Sequence, residues 1–324
     1  MRISTAIVAA VSLAFVTPAF VVSASAQTYP ERPIRVVVGT GAGGVGDIMI
    51  RAIGEHISKT LGQPLVIENR VGGAFNIPAK ACAEARPDGY TICLLPGEPV
   101  TYNEYMFKNI GFDPRKDFKP ITNIFFFTQA FAANVSLGAK SVEQLVQHSK
   151  DKPGTLSYSA PGLSHAQYIE HLKKTEGADL VRVPFKGGGD AVSGLLSNTT
   201  PVVFLGLGNV MAYIDAGTVV PFAVDGEKRS PLLPNTPTLR ELGYKGDITR
   251  SYMGLFAPAG TPDSVITTIH KAVVDVVNDP KFQAQHVKRA VEFVGNTPEE
   301  FAAFIAKDRE AAERVVDAAG MRVK

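Results

Sequence analysis

The sequence predicts an α/β protein of two lobes, and three observations predict it. Apolar strand-like runs alternate with amphipathic helix-like segments, the pattern of parallel sheets covered by helices on both faces. The chain has 324 residues, enough for two separate cores. Turns that carry glycine recur where a strand-like run passes into a helix-like one, at residues 39–44, 159–165 and 183–190.

The first 26 residues stand outside this pattern. Arg2 precedes an apolar run at 6–16 and a second through Val22, and Ala24-Ser25-Ala26 has the small-x-small form that signal peptidase accepts. Pro18 interrupts the segment, which lacks the uninterrupted apolar length of a membrane span. An exported chain with Gln27 as its mature start is the expectation.

From there the elements follow in order. A strand at 34–38 leads through glycines to a helix at 47–61, stopped by Gly62; a strand at 64–68, a helix at 77–85 and a strand at 91–95 come next. A polar connection, 113–119, precedes one long apolar run, 121–133. Ser141-x-x-Gln144 is a capping box for a helix that Pro153-Gly154 ends. Strand 156–159, a helix from Ser164, strand 181–184, helix 191–196 and strand 202–205 then read as a second lobe. Near the C-terminus Thr261-Pro262 opens a helix to Val277, Thr297-Pro298-Glu299-Glu300 is a capping box with proline at the first helical position, and Gly320 is a natural stop. The pattern allows these last helices to return to the first lobe.

Composition excludes several classes. The chain is 45% hydrophobic and 20% charged, as in an ordinary soluble protein, and without its leader it carries 32 basic against 31 acidic side chains, a balance that asks for no nucleic acid. There is no repeat, low-complexity tract or charge block. Cys82 and Cys93 are too few for a disulfide framework and have no metal-ligand spacing, so two small buried hydrophobes is the favoured reading and a disulfide the alternative that an oxidising compartment permits.

The segment RVVVGTGAGGVGDIMIRAIGEHI, residues 35–57, carries the first functional signal. Gly39, Gly41 and Gly44 form G-x-G-x-x-G between strand and helix, and Glu68 ends the next strand where a dinucleotide site places its ribose acid, so an NAD-type oxidoreductase is one hypothesis. Export weighs against it. A second reading needs no nucleotide: a helix N-terminus offers unpaired N–H groups and the positive end of the helix dipole, and glycines admit an anion such as a carboxylate close to the backbone. A Ser–His hydrolase lacks its nucleophile elbow, because no G-x-S-x-G is present.

Eight segments then occur in order along the mature chain: Tyr29-Pro-Glu-Arg-Pro-Ile-Arg35, the glycine loop ending in Gly43-Gly44 with Asp47, Val66-Ile-Glu-Asn-Arg70, Arg86-Pro-Asp-Gly-Tyr-Thr91, Asp113-Pro-Arg-Lys-Asp-Phe-Lys-Pro120, Val183-Pro-Phe-Lys-Gly187, Lys228-Arg-Ser-Pro231 and Phe256-Ala-Pro-Ala-Gly-Thr-Pro262. Together they resemble the substrate-binding proteins of tripartite tricarboxylate transporters, the Bug-type family. The resemblance implies a type II periplasmic binding protein without catalysis or organic cofactor. Its lobes would be 27–127 with 253–324, and 128–252, with crossings near Phe127-Thr128 and Tyr252-Met253. It also implies a monomer that takes a small carboxylate and works with one large and one small permease subunit; a sensor feeding a signalling system would use the same lobes.

The resemblance turns the loops toward the cleft. Gly41, Gly43 and Gly44 in the first loop and Gly73 and Asn76 in the second would offer N–H groups to a carboxylate. Asp47 either caps the helix or holds the waters that bridge to the ligand. Ser159, Gly162, Ser164 and His165 would face the ligand from the second lobe, although Ser164 by its type and position is more often just an N-cap and a first-turn His165 could merely pack. Phe185 is an apolar wall or a core residue, Lys186 is the only cation in these loops, and Gly206 adds space. The family's proline-rich form of the first loop and its acids around residues 201–206 are replaced here. Glu98 stands where the family tends to carry small or hydroxyl residues; facing the cleft, it would welcome an ammonium, amide or hydroxyl donor and oppose a second carboxylate. The expected ligand is a monocarboxylate with an apolar body and a donor group, in preference to citrate.

Overall fold

Ile34–Val38 (β1) is a short β-branched run bounded by Pro33 and Gly39, and four of its five residues are buried, as in a strand covered on both faces. The computed structural model describes residues 29–160, 163–183, 185 and 188–323, with the side chains of Leu163 and Ser164 excepted. The expected leader, Gly162, Lys186 and the Ser164 side chain lie outside the described residues. After β1 the chain runs through α1 (Val45–Leu61), β2 (Leu65–Asn69), α2 (Asn76–Ala83), β3 (Thr91–Pro96), the short α3 (Asn103–Met106) and β4 (Phe118–Phe127). These strands join a six-stranded sheet in the order β11-β4-β10-β3-β1-β2, completed by β10 (Tyr252–Pro258) and β11 (Val291–Phe293). β1 pairs parallel with β2 and β3, whereas β10 runs antiparallel between β3 and β4.

The apolar run 121–133 reads as one unit in the sequence; it is two strands in two sheets. β4 ends at Phe127, and after Thr128 the chain enters β5 (Gln129–Asn134) of a five-stranded sheet, β7-β6-β8-β5-β9. Backbone bonds hold this passage: Phe127 N–H donates to Ser251 O at 2.8 Å and Thr128 N–H to Ala290 O at 3.1 Å. The second sheet continues through α4 (Val142–Asp151), β6 (Ser157–Ser159), α5 (Leu163–Glu176), β7 (Val181–Arg182), α6 (Gly188–Leu196), β8 (Val202–Gly206), α7 (Leu207–Asp215) and β9 (Val219–Val224). Beyond β10, α8 (Asp263–Val277), α9 (Pro280–His286) and α10 (Pro298–Ala318) close the chain, with α8 against α1 and α10 against β4.

Each sheet has its own core. Val36, Ile50, Ile53, Leu94, Phe125 and Ile269 belong to one cluster at the first sheet; Phe131, Leu145, Tyr158, Ile169 and Phe204 belong to another at the second. Each fully buried Ile, Leu, Val or Phe contributes about 1.5–3 kcal/mol, so each half has the makings of a stable unit. The local signals act as expected at Thr297, whose hydroxyl accepts from Glu300 N–H while the Glu300 carboxylate accepts from Thr297 N–H. Cys82 and Cys93 correct the favoured reading: both are buried, and they form a disulfide between α2 and β3, with Cα atoms 6.0 Å apart. The turn that includes Pro87 and Gly89 brings helix and strand side by side, within the reach a disulfide needs.

The topology positions a cleft. β10 is antiparallel to β3, so its start at Tyr252 and Met253 lies beside the carboxyl end of β3, where Met253 pairs with Pro96. β5 is antiparallel to β8, so its start at Gln129 lies beside the carboxyl end of β8, where Gln129 pairs with Gly206. Both crossing segments therefore leave from the carboxyl edges of the parallel strands, and those edges, where open α/β sheets take their ligands, meet at the crossings.

Candidate functional site

The glycine loop, residues 39–44, joins β1 to α1. Gly44 starts the helix without a side-chain cap, which leaves first-turn N–H groups without an intrahelical partner. Gly43 has φ +80°, a conformation that favours glycine, and its N–H donates to Asp47 Oδ2 at 2.9 Å. Asp47 Oδ1 accepts from Arg51 Nε and from Asn69 Nδ2, both at 2.9 Å. The Arg51 hydrogen bond, helped by Gly43 and Asn69, holds the buried Asp47 carboxyl down to about 2. The carboxylate therefore acts as a brace that fixes the loop from within.

The second loop, residues 71–76, lies against the first: a Cβ at Gly41 would come 4.0 Å from Val71 Cγ1, and one at Gly39 would come 3.3 Å from the Phe75 ring. Gly72, Gly73, Ala74 and Phe75 all have positive φ (114°, 58°, 50° and 68°), a left-handed turn that costs free energy at the two non-glycine residues. Asn103 Nδ2 offsets that cost by donating to Ala74 O and Asn76 Oδ1, both at 2.8 Å. The Asn76 carbonyl is thus spoken for. Glu68, the would-be ribose acid, accepts from Arg35 Nη1 at 3.0 Å and from Arg70 Nε at 2.6 Å.

On the opposing sheet Ser159 is buried at the end of β6, and Gly206 ends β8. His165, in the first turn of α5, is 5% exposed; its Nε2 lies 3.1 Å from Asp225 Oδ2 and its ring centre 4.5 Å from that of Phe204. Asp225 Oδ1 accepts from Gln129 N–H at 2.8 Å, so His165 is anchored to the first crossing. Phe185 is half-buried on the core beside Ala191 and Leu195, and its ring would come 2.8 Å from a Cβ at Gly194. Core packing accounts for its position.

A cavity of about 220 Å³ opens beside the second crossing. Of the residues singled out from sequence it brings together Glu98 and His165, with Ala74 of the second loop; Gly41, Gly43, Gly44, Asp47, Gly73, Asn76, Ser159, Phe185 and Gly206 do not line it. Glu98 opens a wide π-type turn, Glu98–Tyr102, closed by Asn103 N–H donating to Glu98 O. Tyr102, Asn103, Thr249, Arg250, Ser251, Tyr252 and Asp308 complete the polar lining, and Met106 and Phe107 supply apolar wall. Burial raises the Glu98 carboxyl above its ordinary range. It also pushes Asp308 up to about 7, with the Glu98 charge adding to the shift and the Thr101 hydrogen bond opposing it.

Sequence reasoning missed Arg250, Tyr252 and Asp308. One signal was present for Asp308: it lies on the apolar stripe of α10 with Phe301, Ile305, Ala312 and Val315, where an acid is out of place. Arg250 is nearly buried, stacks 4.1 Å over the Phe126 ring and donates to Glu292 Oε2 at 2.6 Å. No group of three or more His, Cys, Asp or Glu suited to a metal ion occurs among the described residues, and none of their helices is long and apolar enough to cross a membrane.

Residues 49–321 match the sequence family described as tripartite tricarboxylate transporter family receptor. The chain belongs to that family. BugT of Bordetella pertussis is 26% identical over 323 residues, 99% of each chain. A Rhodopseudomonas palustris protein solved with adipate, Rpa4515, superposes with a TM-score of 0.77 at 28% identity, covering 90% of this chain and 98% of its own. MatC from the same organism, solved with malate, gives 0.71 at 25% identity, covering 89% and 100%. The two-sheet α/β architecture is thus that of the family's periplasmic binding proteins, and the Bug-type resemblance of the sequence holds.

Proposed function

We propose that this chain is an exported receptor that captures a small organic carboxylate between two lobes and delivers it to a tripartite tricarboxylate-type permease of one large and one small membrane subunit. The lobes are residues 27–127 with 253–324, and 128–252; the receptor acts as a monomer, and residues 1–26 are its leader. The observation that carries this reading is the uncapped N-terminus of α1 at Gly44, set beside the left-handed second loop at the carboxyl edge of the first sheet. Such a helix start favours an anion through its free N–H groups and dipole. Asp47 supports the loop and leaves the ligand to the backbone and to bridging waters. Relatives solved with adipate and malate support carboxylates as the class. The Cys82–Cys93 disulfide supports an oxidising compartment.

A thermal-shift panel of mono-, di- and tricarboxylates tests the reading. A ligand present at 100 times its Kd adds about 2.7 kcal/mol to the folded state, so a binder raises the melting temperature measurably. A panel in which no carboxylate stabilises the mature protein would overturn it.

A further inference from the structure

The cavity beside the second crossing holds two carboxylates without a salt-bridge partner among the described residues and a hydroxyl without a hydrogen-bond partner among them. Asp308 is 6% exposed; its Oδ2 accepts from Thr101 Oγ1 at 2.9 Å. Glu98 lines the same cavity from the wide turn. Tyr252 is 0% exposed, lines the cavity too, and its hydroxyl has no hydrogen-bond partner among the described residues. The charged side chains that pack around these groups have other contacts: Arg250, which also lines the cavity, is held through Nη2 by Glu292 while its buried Nε has no hydrogen-bond partner among the described residues, Arg309 is held by Glu104 at 2.8 Å, His165 by Asp225, and Asp247 by Arg314 at 2.8 Å. Among the described residues no ion pair reaches Glu98 or Asp308.

We propose that Glu98, Asp308 and the Tyr252 hydroxyl form a subsite for a protonated amino group, so that the ligand of this receptor is an amino carboxylate. The inference rests on the carboxylate reading above and names the other end of the same ligand. An ammonium has three N–H donors for the three oxygen-bearing groups, and its single positive charge is matched by the one negative charge that remains when the two neighbouring acids share a proton. A second carboxylate would add a further negative charge to a poorly solvated cavity, where such repulsion is screened least. A hydroxyl or amide leaves the charge uncompensated. A divalent metal ion would ask for more oxygen ligands than two carboxylates and a phenol supply. The upward displacement of both acids is what such a pair shows before a cation arrives.

The test is isothermal titration of the mature protein with matched triplets of linear acids of three to eight carbons: the ω-amino acid, the unsubstituted acid and the diacid, for example 6-aminohexanoate, hexanoate and adipate. Titration with sodium chloride serves as the inorganic-cation arm. The inference expects at least one amino acid to bind 10-fold or more tighter than both counterparts, and that preference to fall below threefold in Glu98→Gln and to shrink in Tyr252→Phe, which keeps the ring and its packing. Carboxylates that bind with the amino acid never favoured overturn this inference and leave the carboxylate reading standing. So does a preference that survives both variants, or sodium matching the amine in affinity. A panel in which no carboxylate binds overturns both.

Discussion

Asp308 is an acid on the buried stripe of a helix, and its cost is measurable. Pushed up to about 7 from an ordinary 3.8, it keeps its proton in the folded state where the unfolded chain would lose it. Between those values the native state binds more protons, so stability falls as pH rises through the window and stays lower above it. Asp308→Asn removes this term while keeping an acceptor for Thr101 Oγ1. Urea melts should show the variant gaining on the wild type at pH 8, on the order of 2–4 kcal/mol, and gaining nothing at pH 4. A difference of the same size at both pH values would mean that the Asp308 charge is compensated in the free protein. Asp47 runs the other way: with its carboxyl held down to about 2, the stability it contributes is present above its ordinary range and lost as pH falls toward 2.

The helix start at Gly44 makes a sharper claim about the first loop than a glycine motif does. A Cβ at Gly44 would come 3.1 Å from Gly41 O and strain the loop, whereas a Cβ at Gly41 meets nothing closer than Val71 Cγ1 at 4.0 Å. Gly41→Val should therefore fold with an unchanged urea midpoint and lose carboxylate affinity by at least ~100-fold, because two charge-assisted hydrogen bonds at about 1.5–3 kcal/mol each are at stake. Wild-type affinity in that variant would mean that the loop only begins a helix. The same elements show what a sequence discloses. β1 is bounded in the structure as in the sequence because proline and glycine punctuate a continuous β-branched run, and the box at Thr297 and Glu300 is legible because its partners are three residues apart. The passage at Thr128 is not legible from local pattern, since apolar content is alike on both sides and the division depends on which sheet each half joins; only the family resemblance marked a crossing there. Thr101 and Asp308 are 207 residues apart, and no local pattern pairs them or places Glu98 in their cavity. Asp47 was visible as a first-turn acid, but only the fold reveals that Asn69 and Arg51 take up its oxygens.

At the scale of the molecule, two separately packed sheets meet at their carboxyl edges, and the chain crosses between them at Thr128 and in the segment that ends at Tyr252. Arg314 of α10 grips Asp247 through two hydrogen bonds, at 2.8 and 2.9 Å, and α10 touches α5, so α10 of the first half also contacts the second. With two crossing segments between the sheets, a swing of one sheet toward the other is the hinge motion expected when a ligand contacts both edges. Capture between lobes then predicts a change of shape that binding to one lobe alone does not. Small-angle X-ray scattering of the mature protein, with and without a saturating carboxylate found in the thermal panel, measures it directly. The account predicts a radius of gyration that falls on binding by more than the error of the measurement and returns when the ligand is dialysed away; an unchanged radius with the ligand demonstrably bound would contradict it.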